Sequence, residues 1–204
     1  MIRVEEFVSG WRESPFAEAP EAPWDVTRDA SALIERQIHS LGAEYTIDGD
    51  IAVHHTATIE PNTILKGPII IGANCLIANG SYLRGGVFLD RNCIIGPSCE
   101  VKTVFMLEGS KIAHLSFVGD SIIGSRANIE AGAMVANYRN EMDSKRIRIL
   151  WEGQIIDTGQ DKFGALISDD VKLGANSVVA PGAILRPGFR LERLGLVDMH
   201  PDAR

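Results

Sequence analysis

Aliphatic residues recur along this chain every six positions. Stepping by six from Val53 meets Ile59, Leu65, Ile71, Ile77, Leu83, Leu89, Ile95, Val101 and Leu107. About a quarter of the residues are Ile, Leu or Val, so ten successive hits arise by chance on the order of once in a million registers. The phase is expected to slip near Ala113–His114 and to resume at Ile123, Ile129 and Val135. After an interruption it returns at Ile167, Leu173, Val179, Leu185 and Leu191.

Two further columns follow the same beat. Two residues before an aliphatic stands a second inward position, often small: Ala57, Thr63, Cys75, Ser81, Val87, Cys93, Cys99. All three cysteines fall there and read as packing residues; an odd count without a CxxC pair suits neither a disulfide framework nor zinc. Three residues after the aliphatic, Asn or Gly recurs at Asn62, Asn74, Gly80, Gly86, Asn92 and Asn176. These residues tolerate positive φ and mark corners. One strand and one corner per six residues, with three sides per coil, predicts a triangular prism whose strands stack about 4.8 Å apart.

The flanks differ. Pro15, Pro20 and Pro23 predict an extended lead-in, and Ala30, Leu33, Ile34, Ile38 and Leu41 predict a helix from about Thr27 to Leu41, with Gly42 as its C-cap. We divide the chain into an N-terminal segment and helix (1–46), a coil (47–195) interrupted at about 136–166, and a tail (196–204). RIRIL and GQII within the interruption read as a protruding β-hairpin arm.

Composition narrows the function. A net charge of −7 argues against nucleic acid, no apolar run reaches the roughly 18 residues of a membrane span, and MIRVEEFVSGW lacks the character of a signal peptide. A cytoplasmic protein is expected.

Spacing on the coil suggests chemistry. Lys66, Arg84 and Lys102 lie eighteen apart and should stack in one outward column, where like charges repel. The column reads either as a solvated stripe balanced by Asp90 and Glu100 or, the reading we favour, as an anion site. His114 lies where the repeat is expected to break, and an imidazole titrates near neutral pH, as a general base for an amine requires. A histidine packed or solvated at the surface is the alternative.

Several longer runs carry a family resemblance over about residues 23–190. They are Glu100-Val101-Lys102, Glu108 to Lys111, His114 to Asp120, Ala127 to Gly132, Ala136-Asn137-Tyr138, Asp157-Thr158-Gly159, and Lys162 to Ile167 followed by Asp169-Asp170-Val171. Together they resemble the acetyltransferase domain of the bifunctional glucosamine-1-phosphate acetyltransferase / N-acetylglucosamine-1-phosphate uridylyltransferase, including its archaeal-type sugar-1-phosphate nucleotidyltransferase form. Pro23-Trp24-Asp25 resembles the linker between that family's domains. Because the chain begins near the linker, no uridylyltransferase activity is expected.

The resemblance implies a left-handed parallel β-helix, a homotrimer, and a coenzyme-A-dependent N-acetyltransferase acting on an amino-sugar phosphate or nucleotide amino sugar. Acetyl-CoA is the implied donor, no metal is required, and a separate nucleotidyltransferase is a candidate partner. His114 is the implied base. Arg84 and Lys102 would hold the sugar phosphate, Glu100 would lie near the amino sugar, and Asn128 and Tyr138 would contact the sugar. Asn137 would sit where sugar and acyl group meet. Ala175 would offer backbone to the acyl donor, and Arg186, Arg190 and Arg193 could meet coenzyme A phosphates. Two positions depart from the family pattern: Phe117 replaces a tyrosine and Gly164 a lysine, which leaves Lys162 as a candidate substitute. The rival readings are a non-catalytic β-helix scaffold and a γ-class carbonic anhydrase, which needs three converging histidines.

Overall fold

The computed structural model describes residues 2–20 and 22–203. The fold class expected from the repeat is the one found, a parallel β-helix with three faces. A narrow face stacks two-residue strands: Thr58–Ile59, Leu76–Ile77, Ile94–Ile95, Lys111–Ile112, Asn128–Ile129, Lys172–Leu173 and Arg190–Leu191. A basic face begins at Ile64–Lys66 and continues through 82–84, 100–102 and 117–118 to Met134–Val135, Val178–Val179 and Leu196–Val197. A covered face runs from Ile51–His54 and Ile69–Ile71 through 87–89, 104–106 and 121–123 to Ala165–Ile167 and Ala183–Leu185. The strands Tyr82–Leu89, Glu100–Met106 and Phe117–Ile123 turn the corner from the basic to the covered face without interruption. Ahead of the first coil, Tyr45–Asp48 runs antiparallel to Ile51–His54.

The repeat columns explain the interior. Asn62, Asn74, Asn92 and Asn176 have φ of 63, 57, 62 and 55°, and Gly80 and Gly86 of 73 and 93°. Cys75, Cys93 and Cys99 are buried free thiols in the core; Cys75 donates to the Asp90 carbonyl (2.8 Å) and Cys99 to that of Ala113 (2.7 Å). Burial raises the Cys99 thiol above its ordinary pKa.

The phase slip falls elsewhere than expected. Arg84 pairs with Lys102, eighteen residues on, but Val87 pairs with Val104, only seventeen on. One residue is lost at Thr103, which has φ +57°. The inward series therefore passes through Met106, Ile112 and Val118, while Leu107 packs into a second cluster outside the coil. Leu107 also fits a six-residue step from Val101, so an aliphatic count alone could not tell the two registers apart.

That second cluster covers one face. Ile70, Phe88, Phe105, Ile122, Leu166 and Ile184 point outward from it and meet Trp11, Phe16, Trp24, Val26 and Ile34 of the N-terminal segment. The Phe16 ring stands edge-on to those of Phe88 and Phe105, with centroids 4.9 and 4.8 Å away. The lead-in is thus folded rather than extended, with 3-10 turns at Val4–Glu6 and Ser9–Trp11. The buried Asp169 carboxylate fixes it by accepting from the Ser9 amide (3.0 Å), the Ser9 hydroxyl (2.6 Å) and the Ser125 amide (2.7 Å). In place of one helix from Thr27 to Leu41 there are two, Pro23–Arg28 and Ala30–Ile38, broken at Asp29. The second ends at Ile38, with His39 rather than Gly42 as its C-cap.

The insertion carries the expected hairpin, Arg148–Trp151 with Gln154–Asp157. It does not simply protrude. Ile147 and Ile149 are fully buried in the second cluster, and Trp151 meets Phe7 edge-on. The fully buried Arg139 ties its base to the tail through Asp198 (2.6 Å) and to the coil through the Pro181 carbonyl (2.8 Å). Among the described residues no helix is long and apolar enough to cross a membrane.

Candidate active site

Strand register places Lys66, Arg84 and Lys102 side by side on the basic face, as the eighteen-residue spacing requires. Acids within the chain answer their repulsion. Glu100 accepts from Arg84 Nε and Nη2 at 2.8 and 2.6 Å. Asp120 accepts two bonds from Lys102, at 3.0 and 2.7 Å. Asp90, expected to help, lies past the covered face, and its carboxylate accepts from the Arg91 amide. Tyr82 was not expected to contribute. Its ring lies 5.6 Å from both the Lys66 ammonium and the Arg84 guanidinium. It stands two positions before Arg84, so strand alternation turns both side chains outward.

The column ends at Gly119, the residue paired with Lys102 on the next coil. A Cβ at Gly119 would come within 2.8 Å of both the Asn137 amide and the tip of the Phe117 ring. Asn137 therefore occupies the place of the next side chain and donates to the Asp120 carboxylate. Tyr138 follows, part-exposed, with the Lys145 ammonium 5.5 Å from its ring.

His114 is exposed on the corner between the narrow and basic faces, three residues before Phe117. The backbone stacks this corner in register: the Gly132 amide donates to the His114 carbonyl (2.8 Å) and the Asn176 amide to that of Ala131 (3.0 Å). His114, Ala131 and Ala175 thus share one column. The Ala175 N–H is already engaged, donating to Glu130 at 2.8 Å. That bond, with help from Arg193, holds the Glu130 carboxyl below its ordinary pKa. The Ala175 backbone, expected to meet the acyl donor, thus has its N–H hydrogen-bonded within the chain.

The remaining candidates lie in three separate places. Asn128, Lys172 and Arg190 stack on the narrow face and, with Glu130 and Arg193, line a hollow of about 240 Å³. Asn128 is thus around the corner from Arg84 and Lys102. Arg186 is apart from both groups, paired with Glu152 of the hairpin and 4.6 Å from the Trp151 ring. Lys162 lines a separate cleft with Asp120, Thr103 and Ser31. Among the described residues no three His, Cys, Asp or Glu side chains are grouped to hold a metal.

No family model matches the chain. A bifunctional sugar-1-phosphate nucleotidylyltransferase/acetyltransferase of Sulfurisphaera tokodaii is 38% identical over 157 residues, covering 68% of this chain and 39% of the relative. A bifunctional GlmU protein of Methanocaldococcus jannaschii is 33% identical over 196 residues, 87% of this chain and 44% of the relative. The chain corresponds to the acetyltransferase part of these proteins. It spans about two fifths of their length. Among solved structures, AntD, an N-acyltransferase from Bacillus cereus in complex with coenzyme A and dTDP-4-amino-4,6-dideoxyglucose, has 14% identity and a TM-score of 0.49 over 76% of this chain and 83% of its own.

The glycine at 164 has a steric reason. A Cβ there would collide with the Gly119 carbonyl and the Ser121 hydroxyl, and the Gly164 amide donates to the Asp120 carbonyl at 2.8 Å. No lysine fits this backbone path. Lys162 is the cation that remains on this stretch, and it opens toward the cleft.

Proposed function

We propose that the protein is a coenzyme-A-dependent N-acetyltransferase acting on an amino-sugar phosphate or nucleotide amino sugar, working as a homotrimer. The observation that carries the reading is the match to the acetyltransferase part of bifunctional sugar-phosphate enzymes, joined to an exposed His114 on the corner beside Phe117 and the basic column. His114 takes a proton from the acceptor's amine as nitrogen attacks the thioester carbonyl. The C–N bond forms, the C–S bond breaks, and His114 returns the proton to the departing thiolate. Coenzyme A carries the acyl group, and Lys172 and Arg190 are the cations the hollow offers to its phosphates, Arg193 being paired with Glu130. Acetyl-CoA with amino-hexose 1-phosphates and nucleotide-linked amino hexoses is expected to release free thiol, followed with a thiol reagent. Release no faster than hydrolysis across the panel would overturn the reading. It would favour a non-catalytic scaffold, the alternative that the internal pairing of Arg84 and Lys102 supports.

The trimer rests on a second observation. Ile64, Met134, Val178 and Leu196 stand outward on the basic face at 55, 41, 40 and 63% exposure. Leu115 and Leu194, on the adjoining corner, are 70 and 79% exposed at φ +58 and +60°, where large side chains are uncommon. Such a patch suits a subunit contact. Light scattering is expected to give three times the 22.2 kDa chain mass, and Val178→Glu with Leu196→Glu to give monomers. A wild-type monomer at micromolar concentration rules the trimer out.

A further inference from the structure

A cavity of about 550 Å³ lies beside the basic face, and the reaction as proposed does not use it. That volume is within the roughly 300–1,000 Å³ of small-molecule sites. Its walls come from three separate parts of the chain: Thr27 and Ser31 of the helices, Thr103 and Asp120 of the coil corner, Gln160 and Lys162 of the insertion.

The lining states what the cavity suits. No aromatic side chain lines it among the described residues, so it offers no platform for stacking a base. Two arginines at its rim are already paired, Arg28 with Asp25 and Asp29, and Arg146 with Asp157. Lys162 is countered by Asp161 in the same lining, so the cavity holds little net charge. What it offers are groups that both donate and accept. The Ser31 hydroxyl and the Gln160 side-chain amide bond to none of the described residues, and the Thr27 and Thr103 hydroxyls, which donate to carbonyls, keep lone pairs to accept with. Alcohol groups, each a donor and an acceptor, match that set.

Asp120 ties the cavity to the basic face. It stands at the coil corner, where its φ of +44° continues the positive φ of Gly85 and Thr103 on the coils before, and it lines the cavity at 7% exposure. The same carboxylate holds Lys102 and Asn137, so the cavity and the basic column share a wall.

We propose that this cleft is a second subsite, which takes a neutral, hydroxyl-bearing ring carried by the acceptor beyond its reacting amino sugar. The inference rests on the acyl-transfer reading and extends its substrate class to acceptors that carry a second ring. The ring has two sources, the ribose of a nucleotide-linked amino sugar or the second hexose of an amino disaccharide phosphate.

The test uses Ser31→Phe and Gln160→Phe, which fill the cleft from opposite walls, in the full-length chain. Three acceptors are compared with acetyl-CoA: glucosamine 1-phosphate, uridine diphosphate glucosamine and a phosphorylated glucosamine disaccharide. Both variants are expected to lower kcat/KM at least about tenfold for one two-ring acceptor and less than about twofold for glucosamine 1-phosphate. The acceptor that suffers names the source of the ring. Equal losses on all three, or no loss on either two-ring acceptor, overturn the subsite. Should the wild type acetylate none of them, thermal shift decides separately from catalysis. A two-ring acceptor that raises the Tm of the wild type but of neither variant keeps the subsite while the acyl-transfer reading falls. Absence of any shift removes both.

Discussion

His114→Ala is expected to lower kcat by about 10²–10⁴-fold with acetyl-CoA and the true acceptor, and to leave the fold intact. The size follows from the role: without a base, the amine gives up its proton to water, and general-base assistance of that order is lost. The fold should survive because the side chain is exposed, while the backbone carbonyl that bonds Gly132 remains in the variant. Circular dichroism and Tm check the fold, and single-turnover acetyl transfer checks the chemistry. Full activity in the variant would remove the residue from the mechanism and return it to the surface.

Arg84→Ala is expected to lower kcat/KM about ten- to a hundredfold for a phosphorylated amino sugar and much less for the unphosphorylated one. A charge-assisted hydrogen bond of roughly 1.5–3 kcal/mol sets that range. The same loss is expected from removing Lys102, but that experiment needs more care. The Lys102–Asp120 pair is 17 and 10% exposed, against 35% for both partners of Arg84–Glu100. Breaking a buried pair from one side strands the other charge and costs on the order of 3–5 kcal/mol. Lys102→Met with Asp120→Asn removes both charges together and separates phosphate affinity from stability. Equal losses on the two acceptors would make the column structural, and the phosphate assignment would have to be dropped.

Sequence carried the coil because its interior repeats. Each of Val53, Ile59 and Leu65 reports the same environment, and the corners at Asn62, Asn74 and Asn92 report the same backbone. The site is less regular. The Lys102–Asp120 pair joins residues of adjoining coils, yet Lys102 is in register with Gly119 because a residue is lost at Thr103. Placing the slip at Ala113–His114 instead gives a wrong register for the residues between, Val104 to Ile112. The engagement of Ala175 by Glu130 joins residues 45 apart across the inserted arm, which no spacing rule reaches. Arg186 reads as a cation free for phosphate until Glu152 and Trp151 of the hairpin are seen to hold it. The wrapping of the covered face was half legible. Phe88, Phe105, Ile122 and Leu166 fall at positions where a solvated face would be polar, and their character announces a cover.

The antiparallel strand Tyr45–Asp48 bears on why such a coil stops. A stack of parallel rungs presents unpaired amides and carbonyls at its ends, and a second molecule could extend it indefinitely. On the covered face the edge of Ile51–His54 is already taken by a strand running the other way. Its neighbours at the same end, Thr58–Ile59 and Ile64–Lys66, are two and three residues long, too short to hold an incoming chain alone. Reversing one strand at that rim disfavours end-to-end filaments of a fold that is otherwise suited to making them.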